Sequence, residues 1–164
     1  MGNEANAIPS RTSQIRALDS LSKEIGNWAS DKGFREDWEI AEALGQLGVA
    51  LKDTDAGETT MESEAGETTT VAAFLVRAGE AMKINVIGMK LMLTTSELSE
   101  ALETLRDHGT GVLNGLRGNL GEELADAHIR LLDLEHMVGS SPGTEVTTKV
   151  ESNRHRPHKH GRQV

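Results

Sequence analysis

Two pairs of acids, each three residues apart, stand inside leucine-rich text. Glu97 and Glu100 lie in KLMLTTSELSEALETL among Leu91, Leu98, Leu102 and Leu105, and Glu123 and Asp126 lie in NLGEELADAHIRLLDL among Leu120, Leu124, Leu131 and Leu134. On a helix, residues three apart share a side, so each pair points into one region, and antiparallel packing of the two helices would merge them. Four crowded carboxylates repel one another; some must protonate, the site must stay wet, or a cation must balance them. An all-oxygen set suits Mg²⁺ or Mn²⁺ better than zinc, and Mg²⁺ usually completes its shell with substrate phosphates. The spacing therefore suggests phosphate chemistry, with an ion that orients water for attack at phosphorus and offsets charge on a leaving pyrophosphate. Glu-x-x-Glu is also common on solvated helix faces. Recurrence of a second acid pair after 22 intervening residues, again among leucines, weighs against that reading.

The elements that must position these acids read as helices. Apolar residues Ile15, Leu18, Leu21, Ile25 and Trp28 recur at three- and four-residue steps over 10–33, with Ser10 as N-cap. Trp38, Ile40, Ala41, Leu44, Leu47 and Leu51 mark a second helix over 37–53, weakened by Gly45 and Gly48. Residues 53–70 are acidic, carry Ala-Gly-Glu-Thr-Thr twice, at 56–60 and 65–69, and read as a mobile loop. A helix over 71–82, a joint at 85–88 and a helix over 89–106 follow. After a turn at 107–111, a last helix starts near 118–119, runs to about 138 and is stopped by Gly139-Ser140-Ser141-Pro142-Gly143. No stretch alternates with period two, so the expected fold is all-α, a bundle of four or five helices in one domain spanning 1–164.

Composition narrows the function classes. With no cysteine, thiolate zinc sites and cysteine nucleophiles are excluded, and a reducing cytoplasm is compatible. The first fourteen residues lack the pattern of a secretory signal and no apolar run approaches the ~20 residues that span a bilayer, so a soluble, cytoplasmic protein is expected. A net charge of −9 argues against broad nucleic-acid binding, although the last eleven residues are basic.

The text KLMLTTSELSEALETLRDHG followed by GNLGEELADAHIRLLDL resembles the MazG-like nucleoside triphosphate pyrophosphohydrolases, an all-α family whose metal motif is Glu-x-x-Glu, a gap, then Glu-x-x-Asp. The matching positions are Glu97, Glu100, Glu123 and Asp126, and Asp133 falls where the family has an Asn or Asp near the site. LSKEIGNWASDKGF resembles the family's first helix, and KVESNRHRPHKHG a Lys-x-x-x-Asn-x-x-Arg-Pro tail of phage and bacterial members. These pieces cover about two fifths of the chain, in the family's order. Residues 35–83 form a longer segment than in compact members. The resemblance implies Mg²⁺-dependent hydrolysis of a (d)NTP to the (d)NMP and pyrophosphate by water attack at the α-phosphorus. It also implies four metal ligands, with Glu97 or Glu100 helping to deprotonate the water, and a homodimer or homotetramer in a bacterial or phage-infected cell.

Other residues have two readings each. Trp28 would stack a nucleobase, or more commonly fill a core. Arg130 would contact phosphate, or bridge Asp126 and Asp133 structurally, the reading favoured here. Lys149, Asn153 and Arg156 would hold triphosphate oxygens, or stand beside and within a flexible basic terminus over 154–164 that contacts nothing. The alternative function is a catalytically silent helical oligomerisation or nucleotide-binding protein.

Overall fold

The structure, a computed structural model, describes residues 9–108 and 119–157. Among these, helices dominate: α1 (Arg11–Asp31), α2 (Glu36–Leu51), α3 (Asp55–Glu58), α4 (Val71–His108), α5 (Asn119–Met137) and α6 (Pro142–Arg154). A hairpin of β1 (Thr60–Glu62) and β2 (Thr68–Thr70) precedes α4. The all-α class is as expected, but the elements differ in number and kind from the four or five helices expected. No described helix is long and apolar enough to cross a membrane. Asp107 and His108, expected to begin a turn over 107–111, instead end α4, and the rest of that turn, Gly118 and the tail from 158 onward lie outside the described residues. The chain forms two compact units, Ala29–Ala127 and Met1–Trp28 with His128–Val164.

In the 29–127 unit, α2 and α4 run antiparallel with their backbones in near contact. A Cβ on Gly48 would stand 2.7 Å from the Ala72 carbonyl oxygen, and one on Gly79 2.6 Å from the Ala41 carbonyl oxygen. The glycines that weaken α2 as an isolated helix therefore set its approach to α4. Farther along, Lys83 Nζ lies 3.4 Å from Glu42 Oε1 and 4.9 Å from the centroid of the Trp38 ring, a cation–π contact between the same helices. The joint expected at 85–88 is helical, and α4 is one helix. Gly88 there lowers propensity but, unlike proline, removes no backbone hydrogen bond.

The stretch 53–70, expected to be a loop, is ordered by local bonds. Thr54 caps α3, its hydroxyl accepting from Gly57 N at 3.2 Å and donating to Leu51 O at 2.8 Å. β1 and β2 pair antiparallel, Thr60 with Thr70 and Met61 with Thr69, around a turn in which Gly66 takes φ 78°. Arg77 of α4 donates to the Thr69 hydroxyl. The two copies of Ala-Gly-Glu-Thr-Thr thus adopt different structures, the first ending a helical turn and the second entering a strand.

In the other unit, Ser10 caps α1 as expected, its hydroxyl accepting from Ser13 N at 3.2 Å. The buried Ser22 hydroxyl donates to Leu132 O at 2.9 Å and ties α1 to α5. Residues 139–143 end α5, and they also begin a helix that the sequence reading missed. Gly139 (φ 74°) closes α5 with Ser140 N donating to Glu135 O at 2.8 Å, and Pro142 then opens α6. Ser141 makes no capping bond of its own. Asp19 of α1 supplies it, accepting from Gly143 N at 2.8 Å and from the Ser141 hydroxyl. α6 runs through Arg154, the first residue of the tail expected to be flexible over 154–164.

Two predictions follow from this packing, both read by urea unfolding. Gly45→Ala and Gly88→Ala, where an added Cβ meets nothing within 4 Å, should stabilise by up to about 1 kcal/mol, whereas Gly48→Ala and Gly79→Ala should cost about 1–3 kcal/mol through backbone clashes. Asp19→Ala, which strips the start of α6 of its acceptor, should cost about 1–2 kcal/mol.

Candidate metal centre

The C-terminal half of α4 buries an unexpected side. Val86, Thr94, Glu97 and Ala101 are buried and Lys90 half-buried, whereas Leu91, Met92, Leu93, Leu98 and Leu102 are exposed. The apolar surface read beside Glu97 therefore faces outward, and the inward side is small and polar. Thr94, one turn before Glu97, was not singled out from sequence. Its hydroxyl donates to Lys90 O at 3.1 Å, which satisfies it within the helix. A signal existed: residues 86, 90, 94, 97 and 101 recur at helical steps, as the leucines do on another side.

On this inward side the structure brings together Glu97, Glu100 and Glu123. Each offers one carboxylate oxygen, and the three lie within 4.8 Å of one another. Glu97 is 7% exposed, Glu123 half-buried and Glu100 exposed, so the group runs from interior to solvent. Asp126, the fourth expected ligand, is exposed and lies one helical turn beyond Glu123, outside that trio. Its charge still reaches Glu123. Loss of solvent, then the charges of Glu100, Glu97, Asp126 and Glu122, hold the Glu123 carboxyl above its ordinary range. A donor set of oxygens alone, in which the charges of Glu100 and Glu97 raise the Glu123 carboxyl, fits a hard divalent cation.

The remaining candidates belong to the other unit. Asp133 is buried, and Arg130 is half-buried on the same helix. Trp28 keeps 50% of its surface exposed, which corrects the core reading. Lys149 and Asn153 are exposed on α6, and Arg156 is exposed beyond its end. Part of the basic charge is answered locally, since Arg154 Nη1 lies 2.9 Å and His155 Nε2 3.2 Å from Glu151. The His155 hydrogen bond, then the Arg154 charge, hold the Glu151 carboxyl below its ordinary range. Burial, then Glu145, raise Glu135.

No family model, curated protein or solved structure matches the chain. The site must be interpreted from its own residues.

Because Glu123 is raised in the folded state, its contribution to stability is full below the unfolded carboxyl pKa and is lost as pH rises through the folded value. In chelator, Glu123→Gln should therefore melt higher than the parent at neutral pH, with the gap closing toward about pH 4. Excess Mg²⁺ should reverse the order by stabilising the parent through binding. Thermal melts across pH with and without Mg²⁺ read both effects, and coincident curves would count against crowded carboxylates at this position.

Proposed function

We propose that the chain is a Mg²⁺-dependent nucleoside triphosphate pyrophosphohydrolase of the MazG-like kind, converting a (d)NTP to the (d)NMP and pyrophosphate, and working as a homodimer or homotetramer in the cytoplasm. The observation that carries this reading is the meeting of Glu97, Glu100 and Glu123 within 4.8 Å, at three of the four positions of the Glu-x-x-Glu and Glu-x-x-Asp resemblance. Glu97 and Glu123 would hold Mg²⁺, or Mn²⁺ in its place, with Asp126 as the fourth acid. When bound, the cation supplies positive charge against the triphosphate and the leaving pyrophosphate. Glu100, the exposed member of the trio, is the carboxylate most open to solvent, and we assign it the proton lost by water as that water attacks the α-phosphorus and the bond to pyrophosphate breaks. On their chemistry alone, Lys149, Asn153 and Arg156 are candidates for phosphate contact, Trp28 for base stacking and Asp133 for a supporting acid.

The second reading, a silent oligomerisation or nucleotide-binding protein, draws on the large apolar side chains that α4 turns outward. Calorimetry separates the two, because a scaffold has no reason to bind Mg²⁺ together with a non-hydrolysable nucleotide.

Purified protein with Mg²⁺ should release pyrophosphate from at least one member of a panel of canonical and damaged nucleotides. Glu100→Gln and Asp126→Asn should each lower that rate by about 100-fold or more with helicity unchanged. Absence of turnover across the panel with both Mg²⁺ and Mn²⁺ would sink the hydrolase reading.

A further inference from the structure

The outward side of α4 carries a regular apolar stripe. Ile84, Ile87, Leu91, Leu98, Leu102 and Leu105 fall, at about 100° per residue, within a sector roughly 60° wide and run for about 32 Å of helix. Ile84 is 69% exposed, Leu91 47%, Leu98 50%, Leu102 47% and Leu105 42%, and Ile87 is half-buried. Scattered exposed leucines need no explanation, but a continuous stripe does. Gly88 and Thr95 lie along one edge of that sector, and no charged residue falls within it.

The spacing of the stripe is symmetric about a point between Thr94 and Thr95. Position 84 lies as far before that point as 105 lies after it, and the same holds for 87 with 102 and for 91 with 98. A second α4, antiparallel about a two-fold axis at that point, sets Ile84 against the partner's Leu105, Ile87 against the partner's Leu102, and Leu91 against the partner's Leu98. Self-matching under a two-fold is what an isologous interface requires, and a different protein would impose no such symmetry. Antiparallel alignment also opposes the helix dipoles, which side-by-side parallel helices do not. The stripe exposes roughly 450 Å² per copy, so pairing would bury about 900 Å² of apolar surface. In an interface about 65% apolar this corresponds to roughly 1,400 Å² in total, the size of a stable dimer contact.

We infer that α4 pairs antiparallel with the α4 of a second copy of this chain, along 84–105, with the two-fold axis beside Thr94 and Thr95. This names the surface for the self-association proposed above. It rests on packing and not on hydrolysis, so the two readings fail separately.

The chain has no cysteine, so introduced thiols are the only ones present. Under mild oxidation Thr95→Cys should form a covalent dimer. Ile84→Cys alone should not, because the two copies of position 84 would stand about 31 Å apart, whereas the double variant Ile84→Cys, Leu105→Cys should cross-link. Leu91→Glu should raise the dimer dissociation constant at least ~100-fold in sedimentation runs while circular dichroism keeps its helical signal. The inference is overturned by a parent protein that sediments as a monomer at tens of micromolar. A dimer in which Thr95→Cys fails to cross-link, or in which Ile84→Cys cross-links to itself, overturns it equally.

Discussion

A carboxylate on the inward side of α4 is the constraint from which the rest of the 29–127 unit follows. Burying Glu97 removes solvation that must be returned by a partner, a proton or a cation, and the return cannot come from leucines. The inward side is accordingly built from small or polar residues, Val86, Thr94 and Ala101, and the large apolar side chains are displaced outward. Thr94 adds a hydroxyl without an unsatisfied group, because it bonds back to the preceding turn. The N-terminal half of α4 is held differently, by close approach of backbones at Gly48 and Gly79. One helix therefore has a tightly packed half and a half shaped around charge.

Under the proposed reading, the graded exposure of the three acids would divide their work. A buried carboxylate such as Glu97 has few positions to occupy and is suited to holding an ion. An exposed one such as Glu100 can exchange protons with water. Glu123 lies between them and registers the crowding: solvent loss and four neighbouring acids all act in the same direction on its carboxyl. Asp126 contributes to that field from outside the trio, so its charge is part of the site even where its oxygens are not among those that meet.

Sequence periodicity located α1, α2 and the acid-bearing parts of α4 and α5, because each follows a helical apolar step for several turns. It missed the continuity of α4, expecting a joint at 85–88, although the glycine there leaves the hydrogen-bond ladder intact. It missed α6 for two reasons. Thr144, Val146, Thr147 and Val150 are β-branched and weak helix formers, and the acceptor that starts the helix is Asp19, more than a hundred residues earlier in the chain. The structure of 53–70 was hidden by composition, since Thr54 capping and the positive φ of Gly66 are local geometries that an acidic, glycine-containing text does not announce. At the site, the spacing that sets Glu97 and Glu100 on one helix side agrees with their meeting beside Glu123, while Asp126 stands outside that trio. It could not say which side turns inward, because Leu98 and Glu97 are adjacent and either sector of α4 has a helical period.

That adjacency links the two faces of α4. Glu97 belongs to the buried seam and Leu98 to the exposed stripe, one residue and about 100° apart on a single rigid helix. A helix cannot rotate one face without the other, so any contact that fixes the azimuth of the stripe also fixes the direction in which Glu97 and Glu100 project. The leucines that flank the acids, read from sequence as a wall around them, are exposed, and under the proposed pairing they would act on the site from behind, by setting the orientation of the helix that carries it.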